Sequence, residues 1–393
     1  MEIFSVNQER ERRLFSWLYV CMYMAFSFGL TQFTPFLSKI GYDEMERGIL
    51  LSSYALITIF LQMFIGFFAD KYQTIKRFIV VLMIIYLLTT CLFYLTESKL
   101  FFLHLLLLAI SGGLINTCTG LSDTWILKSS PYLRNNFPFI KAFGSIGWAG
   151  GSILLSFLIA KAGYTGLSFG IFLLSLFSLV LIFFLTDVGE SAKHSAKVTL
   201  ADFKEVIFNK DYRLLVFILF LLYSVIIANN ITVVDKMLQL GASDLQIGYK
   251  WSIQSLLEIP SYLFGAAFLR KYSNFALLMI CAVTLTTQFI GFSLTENVWV
   301  IILLSGLQFL TTPIIMIASK QLIFHMTTER MQSTSQLFAL SIFTGLSSLL
   351  IPIVAGSLIK YFNVNLTLLL LATLPIIAFG CIIFLKKRVI IHA

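Results

Sequence analysis

Residues 101–150 read FFLHLLLLAISGGLINTCTGLSDTWILKSSPYLRNNFPFIKAFGSIGWAG. Two apolar runs flank a polar turn, Ser130-Pro131-Tyr132-Leu133-Arg134-Asn135-Asn136. Hydrocarbon offers the backbone no hydrogen-bond partners, so apolar runs of about 20 residues are read as membrane-spanning helices. The stretch predicts spans at 99–129 and 136–160, antiparallel about the turn. Asp123 and Lys141 lie nine residues to either side of position 132. Positions symmetric about such a turn share one depth, at most roughly 13 Å inward at about 1.5 Å per residue. A lone charge at mid-membrane costs about 2.5 to 3.5 kcal/mol on insertion, so two opposed charges at one depth are expected to face each other across a cavity. A purely structural clamp between the two helices would use the same pair.

The pattern extends along the chain. Of 393 residues, 58% are hydrophobic and 12% charged, where soluble domains carry about 25% charged residues. Further spans are expected near 14–38, 46–69, 76–96 and 165–186, then near 212–235, 245–269, 274–294, 297–325, 333–359 and 364–386. A β-barrel is excluded, because its strands would be short and alternating. The first span follows a polar start without a small-residue cleavage site and is read as retained. The five cysteines all sit in apolar stretches, with neither metal-site nor disulfide-framework spacing, and are expected to be free buried thiols.

These spans predict an N-terminal six-helix half over 1–186, a cytoplasmic linker over 187–211 and a C-terminal six-helix half over 212–393. The net charge of +9 could suggest nucleic acid, but its distribution argues against that. Arg10, Arg12, Arg13, Lys71, Lys76, Arg77, Lys128, Arg134, Arg270, Lys271, Arg330, Lys386, Lys387 and Arg388 fall on one side with the linker. Short cytoplasmic loops are enriched in Lys and Arg. Both termini are therefore expected in the cytoplasm, in the inner membrane. Helix-end similarity between 156–163 and 355–362 is weak support for two related halves.

Gly66-Phe67-Phe68-Ala69-Asp70-Lys71, continuing to Lys76-Arg77, resembles the loop signature of the major facilitator superfamily. The resemblance implies gate roles for Asp70, Lys71 and Arg77. Lys141 followed by Phe143-Gly144-Ser145-Ile146-Gly147-Trp148-Ala149 is similar to a motif of the lactose permease-like branch, which includes oligosaccharide, nucleoside and phenylpropionate proton symporters. There a basic residue and a tryptophan bind sugar, and an acidic partner stands eighteen residues upstream, here Asp123, with Asn116 nearby. The likeness implies an all-α, twelve-helix fold of two six-helix halves, working by alternating access around a site near the midplane. Ser255, Gln288, Gln308, Thr311 and Thr344 stand where lactose permease has acidic, basic and histidine residues, so the galactoside coupling network is absent.

Glu258, in Leu256-Leu257-Glu258-Ile259-Pro260, is the second-half residue suited to proton or ligand chemistry, since burial without a cation favours the neutral carboxyl. It would equally serve as a hydrogen-bonded packing residue. The substrate-site expectation is Asn116, Asp123, Lys141, Trp148, Glu258 and Gln308, with Glu258 and Asp123 for proton coupling. Trp148 follows Lys141 by two helical turns and could stack on a flat ligand, or simply pack. Gly144, Gly147, Gly150 and Gly151 suit close helix contact. The expected function is proton-coupled uptake of a sugar or oligosaccharide; the alternatives are a nucleoside or aromatic acid, or drug or lipid efflux. No catalytic constellation stands in the spans, so an enzyme is not expected. Nor is a metal or cofactor beyond the proton gradient. The partners expected are a small solute and the bilayer, with the chain acting as a monomer.

Overall fold

A computed structural model of the chain describes residues 2–72, 74–187, 208–327 and 332–392. Among the described residues every regular element is a helix, as a chain that must satisfy its own backbone in lipid requires. The spans are α1 (Glu2–Thr31 and Phe33–Lys39), α2 (Glu44–Tyr72), α3 (Lys76–Leu95) and α4 (Phe101–Ser129), followed by a short Pro131–Asn135 helix. The 48-residue helix Phe137–Phe184 supplies two spans. At about 1.5 Å per residue it would be about 72 Å long, more than twice a bilayer core of about 30 Å. It breaks at Gly163, where φ 60° and ψ −156° are open only to a residue without Cβ. The two arms, α5 and α6, fold back until a Cβ on Gly170 would stand 2.9 Å from Leu158 Cδ1.

The later spans carry more irregular backbone. They are α7 (Lys210–Ala228, a π-helical Asn229–Val233, Val234–Gln239), α8 (Asp244–Lys271), α9 (Asn274–Leu294) and α10 (Val298–Ser305, a 3₁₀ stretch Gly306–Leu310, Thr312–Met326). Last come α11 (Gln332–Leu340, a π-helical Ser341–Leu346, Ser347–Tyr361) and α12 (Val364–His392). The twelve expected spans are all present, and nine of the described helices are long and apolar enough by themselves to cross a membrane. The five cysteines are unpaired, with Cys21, Cys118 and Cys281 buried.

The chain forms two compact units, Met1–Ala192 with Ala242–Ile259, and Lys193–Gly241 with Pro260–Ala393. In the first, α5 lies directly on α1. A Cβ at Gly147 would overlap the Val20 carbonyl, and one at Gly151 would overlap Ser27 Oγ and stand 2.9 Å from Met24 Cγ. Glycine at these positions lets the two backbones touch. The start of α8 belongs here too: Gly248 sits against the Ser152 carbonyl, and Ser255 Oγ donates to the Ser145 carbonyl at 3.0 Å. His104 is fully buried, bonded to Tyr42 Oη at 2.9 Å and to the Thr96 carbonyl at 2.9 Å.

In the second unit, proline chemistry accounts for the break in α10. Pro313 has no N–H and crowds the carbonyl four residues earlier, that of Phe309, which instead accepts Ser261 Oγ at 2.8 Å. Tyr212 Oη donates to the Ser335 carbonyl at 2.6 Å, and the hydroxyls of Ser224 and Ser347 meet at 3.1 Å, joining α7 to α11.

Candidate substrate site

The antiparallel α4 and α5 bring Asp123 and Lys141 together at the depth their spacing set. Lys141 Nζ donates to Asp123 Oδ1 and Oδ2, both at 2.8 Å, and the side chains are 25% and 29% exposed. The pair is therefore reachable, which a sealed clamp would not be. Two tyrosines of α1, one turn apart, complete it. Tyr19 Oη donates to Asp123 Oδ1 at 2.7 Å, and Tyr23 Oη accepts from Lys141 Nζ at 2.7 Å. Their rings stack with centroids 5.3 Å apart, and Lys141 Nζ lies 5.3 Å from the Tyr23 centroid. The close approach of α1 to α5 at Gly144 and Gly147 is what places both phenols there. Tyr19 and Tyr23 are uncharged and lie in apolar sequence, so their i, i+4 spacing on one face was the only signal of them.

The other expected residues are distributed around this cluster and beyond it. Asn116, on α4, turns to α2 and donates to Thr58 Oγ1 at 3.3 Å. Trp148 is half-buried, and the rings beside the Lys141 ammonium are those of Tyr19 and Tyr23. Glu258 is half-buried on α8, within the first unit. Gln308 is buried in the second unit, where it accepts from Asn229 Nδ2 at 3.2 Å and donates to Thr312 Oγ1 at 3.1 Å. Asn229 opens the π-helical turn of α7 and Gln308 lies in the 3₁₀ turn of α10, so two irregular turns present amides to each other. Such turns recur at functional sites in membrane helices.

Of the expected gate residues, the side chains of Asp70 and Lys71 lie outside the described residues. Arg77 is exposed in the first turn of α3. The N-terminus of α3 is capped from the far end of α6. Asp187 Oδ1 accepts from the Ile75 and Lys76 backbone N–H groups at 3.0 and 3.1 Å, and Asp187 Oδ2 accepts from Thr74 Oγ1. Lys76 Nζ in turn donates to the Phe183 and Leu185 carbonyls at 2.8 and 2.7 Å. Each helix end thus receives the charge its dipole favours.

A helical bundle of this order with a half-buried, reachable charge pair can be compared with known proteins. The MFS_1 like family matches residues 13–370. The chain belongs to this family. Among curated proteins it is 22% identical over 346 residues to the uncharacterized transporter YwbF of Bacillus subtilis (strain 168), covering 87% of this chain and 85% of that one. The maltose permease of Geobacillus stearothermophilus is 20% identical over 286 residues, 73% of this chain and 72% of its own. Among solved structures, a mutant of the nucleoside transporter NupG superposes with a TM-score of 0.82 at 17% identity, covering 96% of this chain and 100% of that one. This MFS_1-like protein is a secondary transporter of the major facilitator superfamily, integral to the membrane and multi-pass. It is not an enzyme. The superfamily and the twelve-span fold expected from the sequence are both borne out.

Proposed function

We propose that the protein takes up a hydroxyl-rich solute, a sugar or oligosaccharide, by proton-coupled alternating access, acting as a monomer in the inner membrane with both termini in the cytoplasm. The observation that carries this reading is the part-exposed Asp123–Lys141 pair flanked by the Tyr19 and Tyr23 hydroxyls. It offers an anionic acceptor, a cationic donor and two stacked rings in one place, matching the alternating hydroxyls and apolar face of a sugar ring. Asn116 and Trp148 extend the ligand surface, and the relation to a maltose permease agrees with it. Glu258, with no cation one turn away on α8, carries the proton, while Asp123, paired with Lys141, contacts the solute. Asp70, Lys71 and Arg77 serve the gate.

A nucleoside is the second reading. The paired amides Asn229 and Gln308 are the groups that read a base edge, and a nucleoside transporter shares the fold. Labelled maltose and uridine, tested in proteoliposomes under imposed proton or sodium gradients, separate the two. Maltose accumulation that follows the proton gradient is the expected result. With Glu258→Gln, accumulation should vanish while exchange between equal pools persists. Undiminished substrate-driven proton movement in that variant would remove Glu258 from the mechanism.

A further inference from the structure

Lys250 stands seven positions into α8, where the Asp123–Lys141 reading has no use for it. The side chain is 0% exposed, and among the described residues its Nζ has no hydrogen-bond partner. Two neighbours share the condition. Trp251 and Gln254 are each 6% exposed, and Trp251 Nε1 and Gln254 Oε1 also lack partners among the described residues. The indole ring of Trp251 lies against the ammonium, with Nζ 3.5 Å from the centroid. The unpaired indole N–H therefore belongs to the very ring that touches the unpaired cation.

Helical geometry separates Lys250 and Gln254 from the packing face of α8. Gly248 and Ser255 bind α5. Lys250 lies about 200° around the helix from Gly248, Gln254 one turn beyond Lys250, and Glu258 one turn beyond that, at about 100° per residue. The result is a stripe of cation, amide and carboxyl. Glu258 cannot serve as the partner of Lys250, because two turns separate their backbones by about 12 Å. An ammonium held in a membrane helix without an acceptor is a costly arrangement, retained where the charge is used. The ring face occupies one side of the cation and leaves its N–H donors to be engaged.

We propose that Lys250, with Trp251 and Gln254, forms an anion subsite, so that the transported solute is a hydroxylated carboxylate such as a sugar acid. The ammonium and indole N–H are donors for the two carboxylate oxygens, and the Gln254 carbonyl accepts from the adjacent hydroxyl. Among such donors the charged one dominates, so the acid is selected over its neutral counterpart. This deepens the uptake reading above and rests on it.

The test uses three matched pairs on the purified full-length protein: D-glucose and D-glucuronate, maltose and maltobionate, and uridine and its 5′-carboxylate. In thermal-shift titrations, the acid of at least one pair should protect the wild type at concentrations roughly tenfold or more below its neutral partner. Lys250→Arg should keep that preference, and Lys250→Gln should abolish it. Monodispersity of both variants on size exclusion shows that they fold. A wild type that protects no acid above its neutral partner overturns the subsite, as does a preference that survives Lys250→Gln. Proton-driven accumulation of a neutral member without any preference for its acid leaves the uptake reading standing and sinks only Lys250. Accumulation of none of the six compounds sinks both.

Discussion

Lys141 and Lys250 belong to the same compact unit and both interrupt apolar helices, but their surroundings differ completely. Lys141 has three N–H donors and three short acceptors, the two Asp123 oxygens and Tyr23 Oη. Lys250 has none among the described residues and rests on an indole face. A lysine of the first kind stabilises the fold and can bind a solute only by exchanging an existing bond. One of the second kind weakens the fold and gains from any acceptor that arrives. The same residue type therefore marks two different elements of a transport site, and stability measurements can tell them apart by sign.

The largest effect is expected from Lys141→Met, which leaves Asp123 without its cation. Removing one partner of a fully buried pair costs about 3 to 5 kcal/mol; this pair is part-exposed, so equilibrium unfolding in mixed micelles should show a loss of about 3 kcal/mol, with uptake abolished. Wild-type stability in this variant would break the contrast at once. Lys250→Met should move the other way. Deleting an uncompensated cation should raise stability by up to about 2.5 kcal/mol, read in the same unfolding assay, and a destabilised Lys250→Met would mean that the cation has a structural partner. Tyr23→Phe removes a single hydrogen bond to a charged group, worth about 1.5 kcal/mol. Its stability loss should be well below that of Lys141→Met, and a loss as large would mean that Tyr23, not Asp123, is the principal partner. Trp148 sets the smallest difference: solute affinity should fall by about 1 kcal/mol more in Trp148→Ala than in Trp148→Phe, measured by calorimetry. Equal affinity in the two variants leaves Trp148 a packing residue.

What could be read beforehand follows from how strongly each feature marks the chain. Charges in apolar runs stand out, and the symmetry of Asp123 and Lys141 about residue 132 sufficed to place them together. The phenols that complete the pair carry no charge and bear no mark except spacing. Lys250 bears a charge but no symmetric partner, and it lies two turns from Glu258, beyond the one-turn neighbourhood in which a same-face cation would be sought. The π-helical turn at Asn229 is not encoded in the periodicity, whereas the 3₁₀ turn at Gln308 follows from Pro313, which marks a break without marking which amides it presents. Asp187 stands at the start of a polar connection, and its role as the cap of α3 depends on a fold-back that only the three-dimensional arrangement reveals.

The glycine contact between α1 and α5 has a practical use. With Gly147 against the Val20 carbonyl and Gly151 against Met24, neither helix can slide or tilt without a collision of backbones. Throughout a transport cycle the two should travel as one rod, carrying Tyr19, Tyr23 and Lys141 in constant register. Spin labels placed one on each helix should report the same separation with and without solute. That pair becomes an internal ruler, against which the motion of every other span can be measured.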